Sequence, residues 1–268
     1  MTPSAQLAPA IKQLASSQKT SFATTQAVWR FLNNDKVSFE LLNAPILSAA
    51  QVEIVASQHR YALVVHDWST LQFHHLNKQL CKQISHKDDR GYGLQTSLLV
   101  DAQNGIPIAP LAHSLSHAVG RYTTSDADLI SDGTHLDNLI QSIVQVESLS
   151  LPKKLVHVID REGDSVAHMR QMSQAGYQWL VRCKEGNRVS IEGHASIRIG
   201  DVADQVTCCT IKAFQYKGIA VTLRVGETSI VVSRPAKSKQ TNAQGQRVAV
   251  AARKCPVYFS GTIYRVTY

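Results

Sequence analysis

The 268-residue sequence predicts an α/β fold, and three observations predict it. The first 60 residues place apolar side chains at helical spacing. Two short apolar runs then each end at an aspartate: Tyr61–Val65 leads into His66-Asp67, and Leu155–Ile159 leads into Asp160. Such runs read as buried strands. Finally, residues 189–233 alternate apolar and polar positions, the pattern of half-buried strands.

The helical region begins with Leu7, Ile11, Leu14 and Ala15 on one face. Ser21 to Thr25 reads as a polar break, with Thr24 or Thr25 capping a second helix through Val28, Phe31 and Leu32. Asn33-Asn34-Asp35 ends it, and Ser38 opens a third helix through Leu41, Leu42 and Ile46. After the strand at 61–65, Gly91–Val100 and Ile106–Ala112 read as a hairpin around Asn104-Gly105. Residues 135–149 carry a helical apolar face, and Pro152 punctuates. The strand 155–159, a helix from Ser165 to Gln174 closed by Gly176, and a strand from Gln178 to Cys183 follow. Residues 234–254 are basic and poor in apolar residues, which predicts a loop.

Composition excludes several classes. Hydrophobic residues make up 44% and charged residues 18%, as in ordinary globular proteins, which excludes disordered, collagenous and coiled-coil chains. No apolar run approaches the roughly 20 residues of a membrane span, and the start lacks a secretory pattern. These features predict a cytoplasmic protein without a membrane partner. The five cysteines, an odd number without framework spacing, read as reduced thiols.

The net charge of +8 is unevenly distributed. Residues 1–60 carry +2, residues 61–150 carry −4 and residues 151–268 carry +10. After Glu227 no acid occurs, while seven lysines and arginines follow. This asymmetry favours a polyanion partner, usually nucleic acid, although a basic chain also arises from solubility alone.

Asp67 and Asp160 stand at equivalent places, each at the end of an apolar strand. Strand, hairpin, helix, strand is the order of a ribonuclease-H-like sheet. Carboxylates at neighbouring strand ends of such a sheet share divalent metals. Two Mg²⁺ ions, or Mn²⁺ in their place, held about 4 Å apart activate the attacking oxygen and stabilise the leaving one in phosphodiester displacement. Hard cations take oxygen ligands, which explains the residue type. An aspartate after a strand also commonly starts a turn or caps a helix.

The local words sharpen this reading. Val64-Val-His-Asp67-Trp-Ser-Thr70 and Val158-Ile-Asp160-Arg-Glu-Gly-Asp164 resemble the first and second motifs of DDE transposases, specifically the insertion-sequence-four family and its transposon-five-type members. Leu180-Val-Arg182-Cys-Lys184 is similar to the strand after the second motif. Trp29-Arg30-Phe31-Leu32-Asn33, followed by Val37-Ser38, is similar to the family's N-terminal DNA-binding helices. The resemblance covers roughly residues 20–235. It implies that Asp67 and Asp160 are catalytic metal ligands, that Arg182 and Lys184 contact DNA near the scissile phosphate, and that Arg30 contacts transposon-end DNA. It further implies Mg²⁺ dependence, transposon-end and target DNA as partners, a homodimer on paired ends, and no nucleotide cofactor. It divides the chain into a helical DNA-binding region (1–60), a catalytic core (61–188), a β-rich insertion subdomain (189–235) and a basic divergent tail (236–268).

One departure matters. The family's third carboxylate lies on a helix in a Tyr-x2-Arg-x3-Glu-x6-Lys word, and that word does not occur here. The last acid, Glu227, lies in apparent strand sequence. The expectation is a transposase truncated before its last helix and catalytically impaired. The alternatives are a non-catalytic DNA-binding fragment, an inactive remnant, or a nuclease on the same sheet. Glu162 and Asp164, beside Asp160, are poor substitutes for the third ligand.

Other patterns carry less. His113-x3-His117 would suit a zinc pair if helical, with His66, His74 and His75 nearby in sequence, but polar or partly buried histidines are the commoner case. Cys208-Cys209 would face opposite sides of a strand, and Gly91-x-Gly93 lacks the remaining features of a dinucleotide loop.

Overall fold

The computed structural model describes residues 18–72, 80–84, 89–191, 196–232, 239–241, 247–249 and 259–267. The chain is α/β with a large mixed sheet and divides into two compact units, 1–158 and 159–268. The first helical segment of the sequence reading (Leu7 to Ala15) lies outside the described residues, as do His74 and His75.

In the first unit, α1 (Gln18–Leu32) runs straight through the polar stretch at 21–25, so Thr24 and Thr25 are helical rather than caps. Hydroxyl and β-branched residues cost a helix only a few tenths of a kcal/mol each, about 0.7 at most, which the flanking residues offset. Ser38 does cap α2 (Phe39–Ala56): its hydroxyl accepts from the Leu41 N–H at 3.2 Å. This helix passes through Pro45 and extends ten residues beyond Ile46. Its 18 residues, with mean hydropathy 1.2, are long and apolar enough to cross a membrane by length and composition alone. One stripe of it packs on the sheet: Ala50 and Ile54 are buried with Val64 and Leu99, and the Asn43 side-chain amide donates to the Leu111 carbonyl.

The strands of the first unit are β1 (Tyr61–Gln72), β2 (Lys82–Gln83), β3 (Arg90–Asp101), β4 (Pro107–His117), β5 (Gly120–Thr123), β6 (Asp126–Ile130) and β7 (Lys154–Ile159). Their order is β6-β5-β4-β3-β1-β7, with β2 beside β3. β1, β3 and β4 pair antiparallel in sequence, and the turn between β3 and β4 uses Gly105 at φ 73°. That positive φ is why the Asn-Gly signal is informative. Between β6 and β7 comes α3 (His135–Ser148), opened by a capping box in which Thr134 and Asp137 satisfy each other's backbone N–H groups. This order is compatible with a ribonuclease-H-like sheet.

The main difference from the sequence reading is β1, which continues to Gln72 instead of ending at Asp67. Its polar second half stays extended because β3 pairs with it residue by residue, from Ala62–Asp101 to Gln72–Gly91. A ladder partner overrides the weak strand preference of Asp and Ser. His113 and His117 lie in β4, so the helical spacing needed for a zinc pair does not arise.

In the second unit, a 3₁₀ turn (Arg161–Gly163) leads to α4 (Val166–Gln174). This helix ends in a Schellman motif: Gly176, at φ 78°, donates to Ser173 and Tyr177 donates to Met172. β8 (Gln178–Val181), β9 (Arg188–Val189) and β10 (Ile197–Arg198) follow. Residues 199–205 form a short helix, α5 (Ile199–Gln205), where the alternation predicted strand. Ile199 and Val202 are three apart and both buried, which is helical spacing that a short window also reads as alternation. They pack with Val189, Ile230 and Val232.

β11 (Cys209–Tyr216) and β12 (Ile219–Val232) form a hairpin. β13 (Lys239–Thr241) pairs with β14 (Arg247–Ala249) inside the segment expected to be loop. β15 (Phe259–Thr267) pairs antiparallel with β12, so the end of the basic tail is a strand of the β-rich subdomain's sheet. After Gln205 the described residues are strands and turns.

Candidate functional site

Period-two alternation assigns each side chain of β1 to a face. Ala62, Val64 and His66 are buried, and Asp67 is exposed on the other face. Asp67 is in register with Thr96 on β3, and Thr96 with His113 on β4. The Thr96 hydroxyl and His113 Nδ1 lie 3.1 Å apart. Burial lowers the His113 pKa, so the ring beside this row is neutral at pH 7.

Beneath Asp67, on the buried face, runs a hydrogen-bonded chain. Ser97 Oγ lies 3.0 Å from His66 Nδ1, His66 Nε2 lies 2.8 Å from His157 Nδ1, and His157 Nε2 lies 2.9 Å from Glu147 Oε1. Both rings are essentially fully buried. One arrangement satisfies every atom with both rings neutral. Ser97 donates to His66, His66 donates to His157, and His157 donates to the Glu147 carboxylate. Burial, reinforced by the neighbouring imidazole, pushes the His66 pKa down to about 3. Burial also lowers that of His157, against the pull of Glu147. The sequence reading placed His66 only among loosely grouped histidines. Its partner His157 is 91 residues away, and no local pattern connects them.

Asp160 belongs to the second unit, directly after β7. It caps the 3₁₀ turn, Oδ1 accepting from the Glu162 N–H at 2.9 Å. This is the turn-starting role that short acidic side chains commonly take. Arg182 lies on the same stretch of backbone, its N–H donating to the Ile159 carbonyl at 3.0 Å. Asp164 does not cap α4. Its Oδ2 accepts from the Lys184 N–H at 2.7 Å and from the Asn187 side-chain amide, which pins the loop after β8. Cys183, between Arg182 and Lys184, has its thiol pKa pushed up to about 11, by burial first and by Asp164 second, so it is a packed side chain rather than a thiolate at neutral pH. Glu162 is exposed, and Glu227 lies in β12 opposite Tyr264.

Four of this unit's exposed cations follow one another closely in sequence: Arg182 and Lys184 after β8, Arg188 in β9 and Arg198 in β10. Arg188 and Arg198 are direct cross-strand partners. Like charges directly opposite on a two-stranded ribbon are unfavourable in isolation. Arg188 also anchors the ribbon, donating to the Ser196 carbonyl at 2.7 Å. Arg30 stands in the last turn of α1 in the first unit, exposed between exposed Trp29 and Phe31.

A two-metal site needs a cluster of oxygen ligands. Among the described residues, no three Asp, Glu, His or Cys side chains are grouped to hold a metal ion. Asp160 and Asp164 spend carboxylate oxygens on backbone N–H groups. The described residues therefore do not fit a complete metal centre.

No family model matches the chain, and no curated protein matches it. Several solved structures are similar to it, two of them transposase complexes. One is the cryo-EM structure of a piggyBac transposase synaptic complex with hairpin DNA, 10% identical with a TM-score of 0.30, covering 70% of this chain and 36% of that one. The other is the crystal structure of a pre-cleavage Mos1 transpososome, 10% identical with a TM-score of 0.23, covering 68% and 55%. The chain thus spans about a third of one neighbour and about half of the other.

Proposed function

We propose that this chain is a transposase-like DNA-binding protein whose own carboxylates do not complete the metal centre of strand cleavage. The run Arg182, Lys184, Arg188 and Arg198 carries the reading, and above all the pairing of two exposed arginines across β9 and β10. A polyanion relieves their repulsion, and phosphate oxygens match the guanidinium fork. Such contacts position DNA rather than read its sequence. The strand order β4-β3-β1-β7 and the words around Asp67 and Asp160 support the DDE transposase lineage. In this reading Asp67 and Asp160 are the remnant ligand pair, Arg182 and Lys184 lie along the DNA backbone, and Arg30 contacts transposon-end DNA.

A second reading, metal-dependent DNA cleavage, is favoured by Asp67 itself. An exposed aspartate in the middle of a long strand runs against strand preference, and an exposed carboxylate there suits a metal. One experiment separates the two. End-labelled duplex DNA is incubated with the protein at several salt concentrations, with and without Mg²⁺ or Mn²⁺. The proposal expects a salt-dependent mobility shift and intact DNA. Cleavage that disappears in Asp67→Asn supports the second reading. Absence of any shift at low salt sinks both.

A further inference from the structure

Among the described residues Arg121 is the largest fully buried side chain, at 2% exposure. It lies in β5, opposite Ser116 on one side and Ile130 on the other. Its Nη1 donates to Ser114 Oγ at 3.3 Å, a long bond to a neutral group, and its Nε has no hydrogen-bond partner. Among the described residues no carboxylate forms a salt bridge with it. Asp132, whose charge reaches it, is held by Lys82 at 3.2 Å and also accepts from Ser116 and Asn138. Burial pulls the Arg121 pKa below its ordinary value, which expresses the cost of a charge in that place. Proteins seldom bury a guanidinium without an anion, because the lost hydration outweighs one neutral hydrogen bond.

The same side chain lines a cavity of about 90 Å³ between the β5–β6 hairpin and α3. Thr123, Ser125, Ser142 and Gln145 supply hydroxyl and amide groups to its wall. The one acid in the lining, Asp126, is exposed, and its Oδ1 accepts from the Asp128 N–H at 3.1 Å. The volume is that of about three waters, enough for a small tetrahedral ion.

We propose that this cavity binds a tetrahedral oxyanion, a phosphate group, on the Arg121 guanidinium, with Thr123, Ser125 and Gln145 as neutral donors around it. The guanidinium gains the acceptor that its Nε lacks, and hydroxyls suit the remaining oxygens. The site goes beyond the DNA-contact reading. It lies in the first unit, and none of its residues belongs to the arginine run of the second.

The test is titration of the full-length protein with inorganic phosphate in the absence of DNA, followed by calorimetry and by melting temperature. Saturable binding is expected, with the melting temperature raised by roughly 3–6 °C at ten times the dissociation constant. Gln145→Glu places a carboxylate beside Arg121. That variant should fold with an unchanged circular dichroism spectrum and bind phosphate at least about tenfold more weakly. Arg121→Met should abolish binding, and Gln145→Glu keeps the test decisive if Arg121→Met does not fold. A 5′-phosphorylated pentanucleotide, compared with the same strand lacking that phosphate, separates the two sources of the group. Competition by the phosphorylated strand alone assigns a nucleic-acid terminus, and no competition by either assigns the free ion. Absence of saturable binding up to about 10 mM phosphate, or equal binding by Gln145→Glu, overturns the site.

Discussion

His66 Nε2 and His157 Nδ1 meet at 2.8 Å in the buried part of the first unit, joining β1 to β7 by side chains as well as by backbone. Ser97 and Glu147 close the two ends of the chain. A neutral imidazole pair, fully hydrogen-bonded, gives this strand pairing one register, since a one-residue slip of either strand would turn its ring to the other face and break the contact.

This pair sets the acid limit of the unit. Folded His66 titrates near 3 and unfolded histidine near 6.5. The folded-state pKa is depressed, so in acid the unfolded chain takes up protons that the folded chain refuses. The stabilisation is full above pH 6.5 and is lost as pH falls from 6.5 toward 3. The slope is about 1.4 kcal/mol per pH unit for each histidine held neutral. Urea unfolding at pH 7.5, 6, 5 and 4.5 measures it. A flat stability over that range would mean that the rings are protonated in the folded state.

Asp67→Asn is expected to leave stability within about 0.5 kcal/mol of the parent, because the side chain is exposed. Its salt-dependent DNA affinity should also be unchanged, since the DNA contacts are assigned to the arginine run of the second unit and to Arg30, not to Asp67. A drop in melting temperature of more than a few degrees would show that Asp67 has a structural role.

Arg198→Ala removes one of two opposed charges. The free protein should become slightly more stable, by about 0.2–1 kcal/mol. DNA affinity should fall, and the slope of log K against log salt should shrink by about 1. An unaltered slope would place the DNA elsewhere.

Asp164→Ala strips the acceptor from the Lys184 N–H and the Asn187 amide. The expected cost is about 1–3 kcal/mol, with faster amide exchange at Lys184. Protection unchanged at Lys184 would mean that another group fixes the loop.

Gly226→Ala tests the packing of the second unit. A Cβ there would stand 2.5 Å from the Thr207 carbonyl and 2.5 Å from a Val206 methyl. The backbone must shift, at about 1–3 kcal/mol. An unchanged denaturation midpoint would show that the strand yields freely.

Much of the architecture follows from local chemistry that the sequence displays. Ser38 caps α2, Thr134 and Asp137 frame α3, Asn104-Gly105 turns the hairpin, and Gly176 closes α4. Each depends on residues within a few positions, where backbone geometry and side-chain reach decide the outcome. The words around Asp67 and Asp160, and the basic second half, were equally legible because they are linear features.

Tertiary pairing decided the rest. β1 runs past Asp67 because β3 supplies a ladder that the residues 68–72 do not advertise. β15 carries strand-forming residues of its own (Phe259, Thr262, Ile263, Tyr264, Val266), but nothing in them names β12 as the partner it pairs with. The Ser97–His66–His157–Glu147 chain, the buried Arg121 and its cavity, and the Arg188–Arg198 opposition join residues from different strands. The sequence by itself determined the cap at Ser38, the turn at Asn104-Gly105 and the stop at Gly176, since those are short-range balances of backbone hydrogen bonds. Only the tertiary structure decided which polar groups meet, because burial and electrostatic cost depend on neighbours that the chain brings together at long range.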